Sequence, residues 1–164
     1  MRLSRKTEAS YRGLIARAKE AAENAYRPYS QYNVGAAVLL WNGEIYVGCN
    51  VENAGYSQTV HAEEVAVCNA IANGALKRAE AAGLTQFNFI KAIAVYAPKG
   101  TDPWPCCNCR QFLSEFGFTM HVIGYGAEGE QGPVLCKPLG KLIPQPFPIE
   151  EVLASVRGTH DHSH

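Results

Sequence analysis

Two cysteines in the second half of the chain, Cys106 and Cys109, stand three residues apart in the string Pro-Cys-Cys-Asn-Cys. In a helical turn this spacing places both sulfur atoms on one face. At a helix N-terminus the free N–H groups and the helix dipole favour thiolates, so such a turn suits a metal ion. The alternative is a redox dithiol of the thioredoxin type, but that motif follows the first strand of a βαβ unit, whereas this pair comes late.

The string His-Ala-Glu at 61–63 adds an imidazole and a carboxylate to the candidate chemistry. Two thiolates and one imidazole leave the fourth tetrahedral position of Zn²⁺ open, which is typical of catalytic zinc. Glu63 favours the same interpretation, because H-x-E followed by P-C-x-x-C is the signature of zinc deaminases, in which the Glu is an acid/base and not a ligand. A structural zinc would need a fourth ligand, from residues whose apolar surroundings favour burial instead: Cys49, Cys68, Cys136 or His121.

The hydrophobic pattern predicts the elements that must position these strings. Apolar residues recur at helical spacing over 6–25, and residues 61–75 are apolar on most sides, as in a buried helix. Two apolar runs, 34–41 and 44–51, flank Asn42-Gly43, which predicts a hairpin with a type I′ turn. The other elements are a helical or irregular stretch at 76–87, a helix from 106 to about 116, and strands at 89–97, 120–126 and 133–139. This order predicts a three-layer α/β/α sandwich with a mixed five-stranded sheet.

Length and composition narrow the class of protein. The chain has 164 residues, 47% of them hydrophobic and 18% charged, which predicts one globular domain over 1–157 and a flexible His-containing tail at 158–164. Fifteen basic residues balance fifteen acidic ones, so no basic surface for nucleic acid is expected. No apolar run suggests a membrane span or a secretory signal. We therefore expect a cytoplasmic protein whose cysteines are thiols or metal ligands.

Five blocks in order, from Tyr26 to Phe147, resemble the cytidine deaminases of the short, single-domain, tetrameric kind. The resemblance implies the cytidine deaminase-like fold and a zinc-dependent hydrolysis of cytidine and 2′-deoxycytidine to uridine and 2′-deoxyuridine, with release of ammonia, in pyrimidine salvage. It also implies a homotetramer with shared active sites. The blocks are Tyr29-Ser30-x-Tyr32-x-Val34-Gly35-Ala36-Ala37, Gly48-Cys49-Asn50-Val51-Glu52-Asn53-Ala54, His61-Ala62-Glu63, Pro105-Cys106-x-x-Cys109-Arg110-Gln111 and Leu142-Ile143-Pro144-x-x-Phe147.

The same resemblance assigns a metal site and a catalytic acid/base. It implies that His61, Cys106 and Cys109 bind Zn²⁺, and that Glu63 moves a proton from water to N3 of the cytosine ring and then to the departing amine. The alternatives for two of these residues are ordinary ones. His61 could be a surface histidine, and Glu63 could be a solvated acid in the first turn of a helix.

Substrate contacts also follow from the resemblance. Asn50 and Glu52 match a pair that binds the ribose 3′-hydroxyl, and Tyr32 falls where an aromatic ring lies against base and sugar. Ala62 would also contact the substrate, and Phe147 matches an aromatic that a neighbouring subunit contributes. Asn50 and Glu52 could instead cap the turn into the buried helix, Tyr32 could belong to the core, and Phe147 could anchor its own chain.

The metal strings depart from the family pattern in two ways that are compatible with each other. Three cysteine ligands and an Arg after the catalytic Glu are usual, whereas this chain has His61 and Glu64. Two thiolates and a neutral His already balance the zinc charge, so no Arg is needed and we interpret the change as a compensated swap. Cys107-Asn108 replaces a small residue of the metal loop, and the role of Cys107 is open.

A longer stretch before the metal loop bears on the substrate. The extra length falls near 76–88 and 98–104, and Asp102, Pro103 and Trp104 directly precede the loop. We hypothesise that these residues border the exocyclic amine and alter tolerance for N4-modified cytidines.

Two other functions would use the same zinc donors. A deaminase of the cytosine antibiotic blasticidin S would share the fold and zinc chemistry, although Asn50 and Glu52 favour a ribose. A non-catalytic zinc-binding module would bind metal without turnover. A polynucleotide deaminase is disfavoured because the balanced charge offers no basic surface for a strand.

Overall fold

A five-stranded sheet with helices on both faces makes up the centre of the molecule, in a computed structural model that describes residues 4–98, 104–126 and 129–160. The strands are β1 Gly35–Leu40, β2 Ile45–Cys49, β3 Ile90–Tyr96, β4 His121–Tyr125 and β5 Val134–Pro138. The helices are α1 Arg5–Ala22, α2 Ala62–Ala72, α3 Ala75–Ala81, α4 Cys107–Ser114 and α5 Ile149–His160.

The sheet is mixed, as predicted. Its spatial order is β2-β1-β3-β4-β5. Strand β1 pairs antiparallel with both β2 and β3, β3 pairs parallel with β4, and β4 pairs antiparallel with β5. The connection between the two parallel strands contains the metal loop and α4, so the cysteine string follows the carboxyl end of β3.

Helices cover the two faces of the sheet. The apolar side of α1, including Leu14 and Ile15, packs with Ala92 and Ile123 on one face. Helices α2, α3 and α4 cover the opposite face, where a larger cluster is formed by Ala66, Val67, Ala70, Phe89, Ile93, Leu113 and other buried residues. The predicted three-layer α/β/α sandwich is confirmed.

Two glycines of the sheet allow the helices to approach closely. A Cβ atom at Gly35 would lie 1.8 Å from the Ala18 carbonyl oxygen, and one at Gly48 would lie 2.4 Å from the Ala66 backbone nitrogen. Since neither position has room for a side chain, these glycines set the spacing between the sheet and its two helical layers. Gly48 in particular holds α2, the helix that follows His61, against β2.

The hairpin forms where it was predicted, but with a different turn. Of the two turn residues Asn42 and Gly43, only Gly43 has a positive φ, of 91°. The N–H of Gly43 donates to the Leu40 carbonyl at 3.1 Å. A type I′ turn would need positive φ at Asn42 as well, so the predicted turn type is wrong. In the register of β1 and β2, Leu39 lies opposite Ile45, so the connecting loop is longer than the two-residue loop of a type I′ hairpin.

Two helical segments differ from the sequence prediction. The buried helix ends at Ala72, because Asn73 and Gly74, with φ of 77° at the glycine, break it before α3 begins. Helix α5 was not predicted, although Pro148 followed by Glu150 and Glu151 is typical of a helix start. It continues through His160 and so includes the first three residues of the expected tail, and 161–164 lie outside the described residues.

Of the segment 98–104 that precedes the metal loop, the structure describes Pro98 and Trp104. Asp102 and Pro103, expected beside the loop, lie outside the described residues, whereas Trp104 is described and partly buried.

No helix in the described part of the chain is both long and apolar enough to cross a membrane.

Candidate metal centre and active site

The N-termini of α2 and α4 bring His61, Cys106 and Cys109 together. His61 is the residue before the first turn of α2, and Cys106 has the same position before α4. The Nδ1 atom of His61 lies 3.2 Å from the sulfur of Cys109 and 3.4 Å from that of Cys106, and all three donor atoms lie within 4.8 Å of one another. Bond lengths to tetrahedral zinc place neighbouring N and S ligands about 3.5 Å apart. The predicted donors therefore fit Zn²⁺.

A fourth protein ligand is not found among the residues that the structure describes, since the donor group contains His61, Cys106 and Cys109 alone. Of the candidates for a fourth ligand, His121 uses its Nδ1 in a hydrogen bond with the Tyr11 hydroxyl, and Cys68 is exposed on α2. Three protein donors and an open position are the arrangement of a catalytic zinc.

The buried thiol of Cys109 needs a cation to become a ligand. Burial raises its pKa well above the ordinary value, and the neighbouring charges of Glu63 and Cys106 raise it further. Coordination to a divalent metal reverses this effect and deprotonates the thiol. The chemistry of the donor set is therefore consistent with a bound metal rather than with a free thiolate.

Glu63 lies in the first turn of α2, two residues after His61. Its side chain is only 4% exposed, so it is not the solvated acid considered as the alternative. Burial is the main cause that raises the pKa of this carboxyl above its ordinary value. A buried carboxyl with a raised pKa holds a proton more readily than a solvated one, which suits it to carry a proton between two groups in the cavity.

A cavity of about 530 Å³ contains Glu63 in its wall together with two of the metal donors, His61 and Cys106. This volume is typical of a small-molecule site. Four of the five predicted substrate-contact residues also line it: Tyr32, Asn50, Glu52 and Ala62. The structure thus brings the predicted catalytic residue, two of the three metal donors and four of the five predicted contact residues to one cavity.

Asn50 fixes the chain segment that forms one side of the cavity. Its Oδ1 accepts the Val34 N–H at 2.8 Å, and its Nδ2 donates to the Tyr32 carbonyl at 3.0 Å. It therefore does not cap α2, as the alternative proposed. A carboxamide has two donor hydrogens and two acceptor lone pairs, so one of each remains available for a hydroxyl group.

Glu52 is held by the turn that precedes Tyr32. Its Oε2 accepts the N–H groups of Tyr29, at 2.9 Å, and Ser30, at 3.2 Å, while the Ser30 hydroxyl donates to Oε1. The Ser30 hydroxyl is the main cause that lowers the pKa of Glu52 below its ordinary value. Three donors leave room for about one more on a carboxylate, which has about four acceptor sites.

Phe147 is the predicted contact that the structure does not bring to the cavity of its own chain. Its side chain is 63% exposed, and it is absent from the described residues that line the cavity. Exposure of this extent disfavours the alternative that Phe147 anchors its own chain by packing.

Several lining residues were not found from the sequence. Tyr96 and Tyr125 stand at the carboxyl ends of the parallel pair β3 and β4, where α/β sheets commonly bind ligands. That rule could have identified them if the parallel pairing had been known. Trp104, which also lines the cavity, carries the Lys137 ammonium 4.7 Å above its ring centre.

Comparison with known proteins decides which family this site belongs to. The family described as "Cytidine and deoxycytidylate deaminase zinc-binding region" matches residues 9–125. The chain belongs to this deaminase family. The predicted resemblance, the zinc cofactor and the enzyme class are thereby confirmed at the level of the family.

Alignments with individual members of this deaminase family cover most of the chain. A cytidine deaminase of Sporosarcina psychrophila is 43% identical over 142 residues, which cover 85% of this chain and 92% of that protein. One of Mycobacterium tuberculosis is 34% identical over 139 residues, covering 85% and 90%. The crystal structure of a Burkholderia pseudomallei cytidine deaminase aligns with a TM-score of 0.68 and 37% identity, covering 82% of this chain and 97% of that one. The predicted cytidine deaminase-like fold is confirmed.

Proposed function

We propose that this deaminase-family protein hydrolyses cytidine and 2′-deoxycytidine to uridine and 2′-deoxyuridine, with release of ammonia. The observation that carries the proposal is the buried carboxyl of Glu63 in one cavity with the donor atoms of His61 and Cys106. A proton carrier and a metal site that share a cavity of nucleoside size are what hydrolytic deamination requires.

Glu63 performs the proton transfers. His61, Cys106 and Cys109 would hold Zn²⁺, which would make hydroxide available near neutral pH by acidifying a water molecule. The Glu63 carboxylate accepts the proton that water gives up as its oxygen adds to C4, and it delivers that proton to N3 of the ring. The second proton of the water passes by the same carboxyl to the amine at C4, whose bond to carbon breaks to release ammonia. Burial of Glu63 limits competition from bulk water.

The sugar is held by residues of the loop that ends the hairpin. Asn50 and Glu52 each keep hydrogen-bonding capacity beyond their bonds to the protein, and we assign it to the ribose 3′-hydroxyl. Tyr32 contacts base and sugar, and Ala62, fully buried at the start of α2, contacts the base.

Assembly completes the site in this proposal. The protein is a homotetramer in which Phe147, exposed in its own chain, contacts the nucleoside bound by a neighbouring subunit. None of the six cysteines, all of which the structure describes, forms a disulfide, which supports a cytoplasmic enzyme of pyrimidine salvage.

Trp104 sets the tolerance for substituents on the exocyclic amine. It lines the cavity one residue before the metal loop and is positioned by Lys137. We expect Trp104→Ala to change the rate on N4-methylcytidine relative to that on cytidine. If the ratio of the two rates were the same in the wild type and in the variant, Trp104 would not set the tolerance for N4 substituents.

The test of the proposed function is the ultraviolet absorbance of the zinc-loaded protein mixed with cytidine, followed over minutes. We expect the cytidine band to convert to that of uridine, and Glu63→Gln to lower the rate by about 10²–10⁴-fold. Conversion at similar rates by the wild type and by Glu63→Gln would show that Glu63 does not carry out the proton transfers. No conversion by a zinc-loaded wild type would overturn the cytidine proposal, and blasticidin S would then be the next substrate to assay. Inactivity towards that compound as well would leave the non-catalytic zinc-binding module.

A further inference from the structure

The carboxylate of Glu64 bridges the two turns that carry the metal donors. Glu64 lies in the first turn of α2, and its Oε2 accepts the backbone N–H of His61 at 3.1 Å. Its other oxygen, Oε1, accepts the side-chain amide of Asn108 at 2.8 Å. Asn108 lies between Cys106 and Cys109 in the first turn of α4. One side chain thus contacts the metal-bearing turn of each helix.

We propose that Glu64 and Asn108 form a clasp that positions His61 against the two cysteines and thereby sets how tightly the protein retains zinc. The proposal rests on the ligand set of the proposed function. Neither residue is a catalytic residue: Glu64 and Asn108 act through the metal ligands and are positioning residues.

The clasp is distinct from the contacts that the ligands make with one another. Between 61–64 and 106–109, all of which the structure describes, each of the other side-chain contacts involves a metal donor: His61 contacts Cys106 and Cys109, and the Glu63 carboxylate is hydrogen-bonded by the Cys109 thiol. The Glu64–Asn108 bond is therefore the one side-chain hydrogen bond that holds the two turns in register independently of the metal. Residues that orient ligands in this way commonly change metal affinity by about 10–100-fold when they are replaced.

The chemistry of the pair permits a swap that separates positioning from loss of a side chain. In Glu64→Gln, one carboxylate oxygen becomes an amide nitrogen, so the variant keeps an acceptor for only one of the two N–H donors. In Asn108→Asp, two carboxylates face each other and repel. In the double variant, the new amide can accept from the His61 N–H and donate to the new carboxylate, so both hydrogen bonds are restored with the same total charge.

The experiment measures the rate at which a chelator removes zinc from the wild type, both single variants and the double variant. The visible spectrum of the Co²⁺-substituted proteins reports the geometry of the site in parallel. We expect each single variant to lose zinc about 10–100-fold faster with an altered Co²⁺ spectrum, and the double variant to recover most of both. Glu80→Gln, on the exposed side of α3, is the matched control and should retain zinc as the wild type does.

Two results would overturn the clasp: zinc loss from Glu64→Gln within about twofold of the wild type, or a double variant no better than the worse single variant. If Asn108→Asp does not fold, Asn108→Ala removes the donor without adding charge and makes the same prediction. Zinc retention does not depend on turnover of cytidine. A clasp that responds in a protein inactive towards cytidine therefore counts against the proposed function alone, and an active enzyme with unchanged retention counts against the clasp alone.

Discussion

Gln111 accepts a hydrogen bond from the backbone N–H of Phe147 at 3.1 Å, through its Oε1 atom. Gln111 follows Cys109 by two residues in α4, so the helix that carries a metal donor also fixes the segment that presents an exposed aromatic side chain. The position of Phe147 on the surface is therefore tied to the metal centre of its own chain, although Phe147 is not among the described residues that line that chain's cavity.

Mixing two impaired variants tests whether sites are shared between subunits. Phe147→Ala should lower kcat/KM about tenfold, equivalent to about 1.4 kcal/mol of lost contact. When it is refolded together with Glu63→Gln, about one quarter of the sites in a random one-to-one mixture combine an intact Glu63 with an intact Phe147 from the neighbour. Steady-state rates should then exceed the sum of the two separate variants. A mixture that is merely additive would show that Phe147 does not complete the site of a neighbouring subunit.

The carboxylate of Glu52 should make part of the stability dependent on pH. Its folded-state pKa is lowered from 4.5, first by the Ser30 hydroxyl, so its stabilising effect is complete above 4.5 and is lost as pH falls through the lower folded value. Thermal unfolding should show Glu52→Gln less stable than the wild type at neutral pH, with the difference closing in acid.

Ser30→Ala is the control for that pH dependence. It removes the hydroxyl donor but leaves the carboxylate, so the acid loss of stability should begin at a higher pH than in the wild type. A stability difference between Glu52→Gln and the wild type that stays constant from neutral to acidic pH would contradict the prediction.

Arg110 should contribute to stability by joining the metal loop to the segment before Phe147. Its Nε donates to the Pro105 carbonyl at 2.7 Å and its Nη1 to the Leu142 carbonyl at 2.9 Å. Arg110→Ala should lower the free energy of unfolding in urea by about 2–3 kcal/mol, because two bonds from a charged donor are lost. Arg110→Lys should fall between, since an ammonium cannot reproduce the fork. A loss below about 0.5 kcal/mol would show that these bonds contribute little.

The same glycine-to-alanine change should have opposite effects at two positions. At Gly48 a Cβ would lie 2.6 Å from the Ala62 carbonyl oxygen, so the variant must displace the start of α2, and we expect about 3 kcal/mol of destabilisation with loss of activity. At Gly13, inside α1, a Cβ would meet nothing within 4 Å, and Gly13→Ala should stabilise by about 1 kcal/mol. Urea unfolding of both variants is the measurement, and effects of the same sign would contradict the packing argument.

Local patterns accounted for most of the fold and for the donors of the metal site. Cys106 and Cys109 are three residues apart, so their common face follows from the spacing of a single helical turn. The pairing of these cysteines with His61, which lies 45 and 48 residues away, was instead implied by the deaminase signature and the family resemblance. The hairpin at Gly43 was also predicted from a local pattern, the Asn-Gly dipeptide between two apolar runs. The type of its turn depends on φ at Asn42, which the dipeptide alone does not determine.

Contacts between distant segments could not be predicted in the same way. The bond from Asn108 to Glu64 spans 44 residues, and Tyr125 reaches the cavity only because β4 lies parallel to β3. Propensity and periodicity contain no information on such pairs, since each depends on how complete elements pack. Helix α5 was not predicted, although residues typical of a helix start precede it. No other predicted element was expected to pack against the segment after Phe147.

The thiols of the two proposed ligands differ greatly in how far solvent reaches them, because Cys106 is exposed and Cys109 is fully buried. The centre therefore has an accessible side and a protected side. We therefore expect alkylating reagents and peroxides to react with Cys106 and its neighbour Cys107 before they reach Cys109. Early in such a reaction Cys109 should stay intact, and a thiol reductant should then reverse a sulfenic acid or a disulfide at Cys106 but not an alkylated thiol.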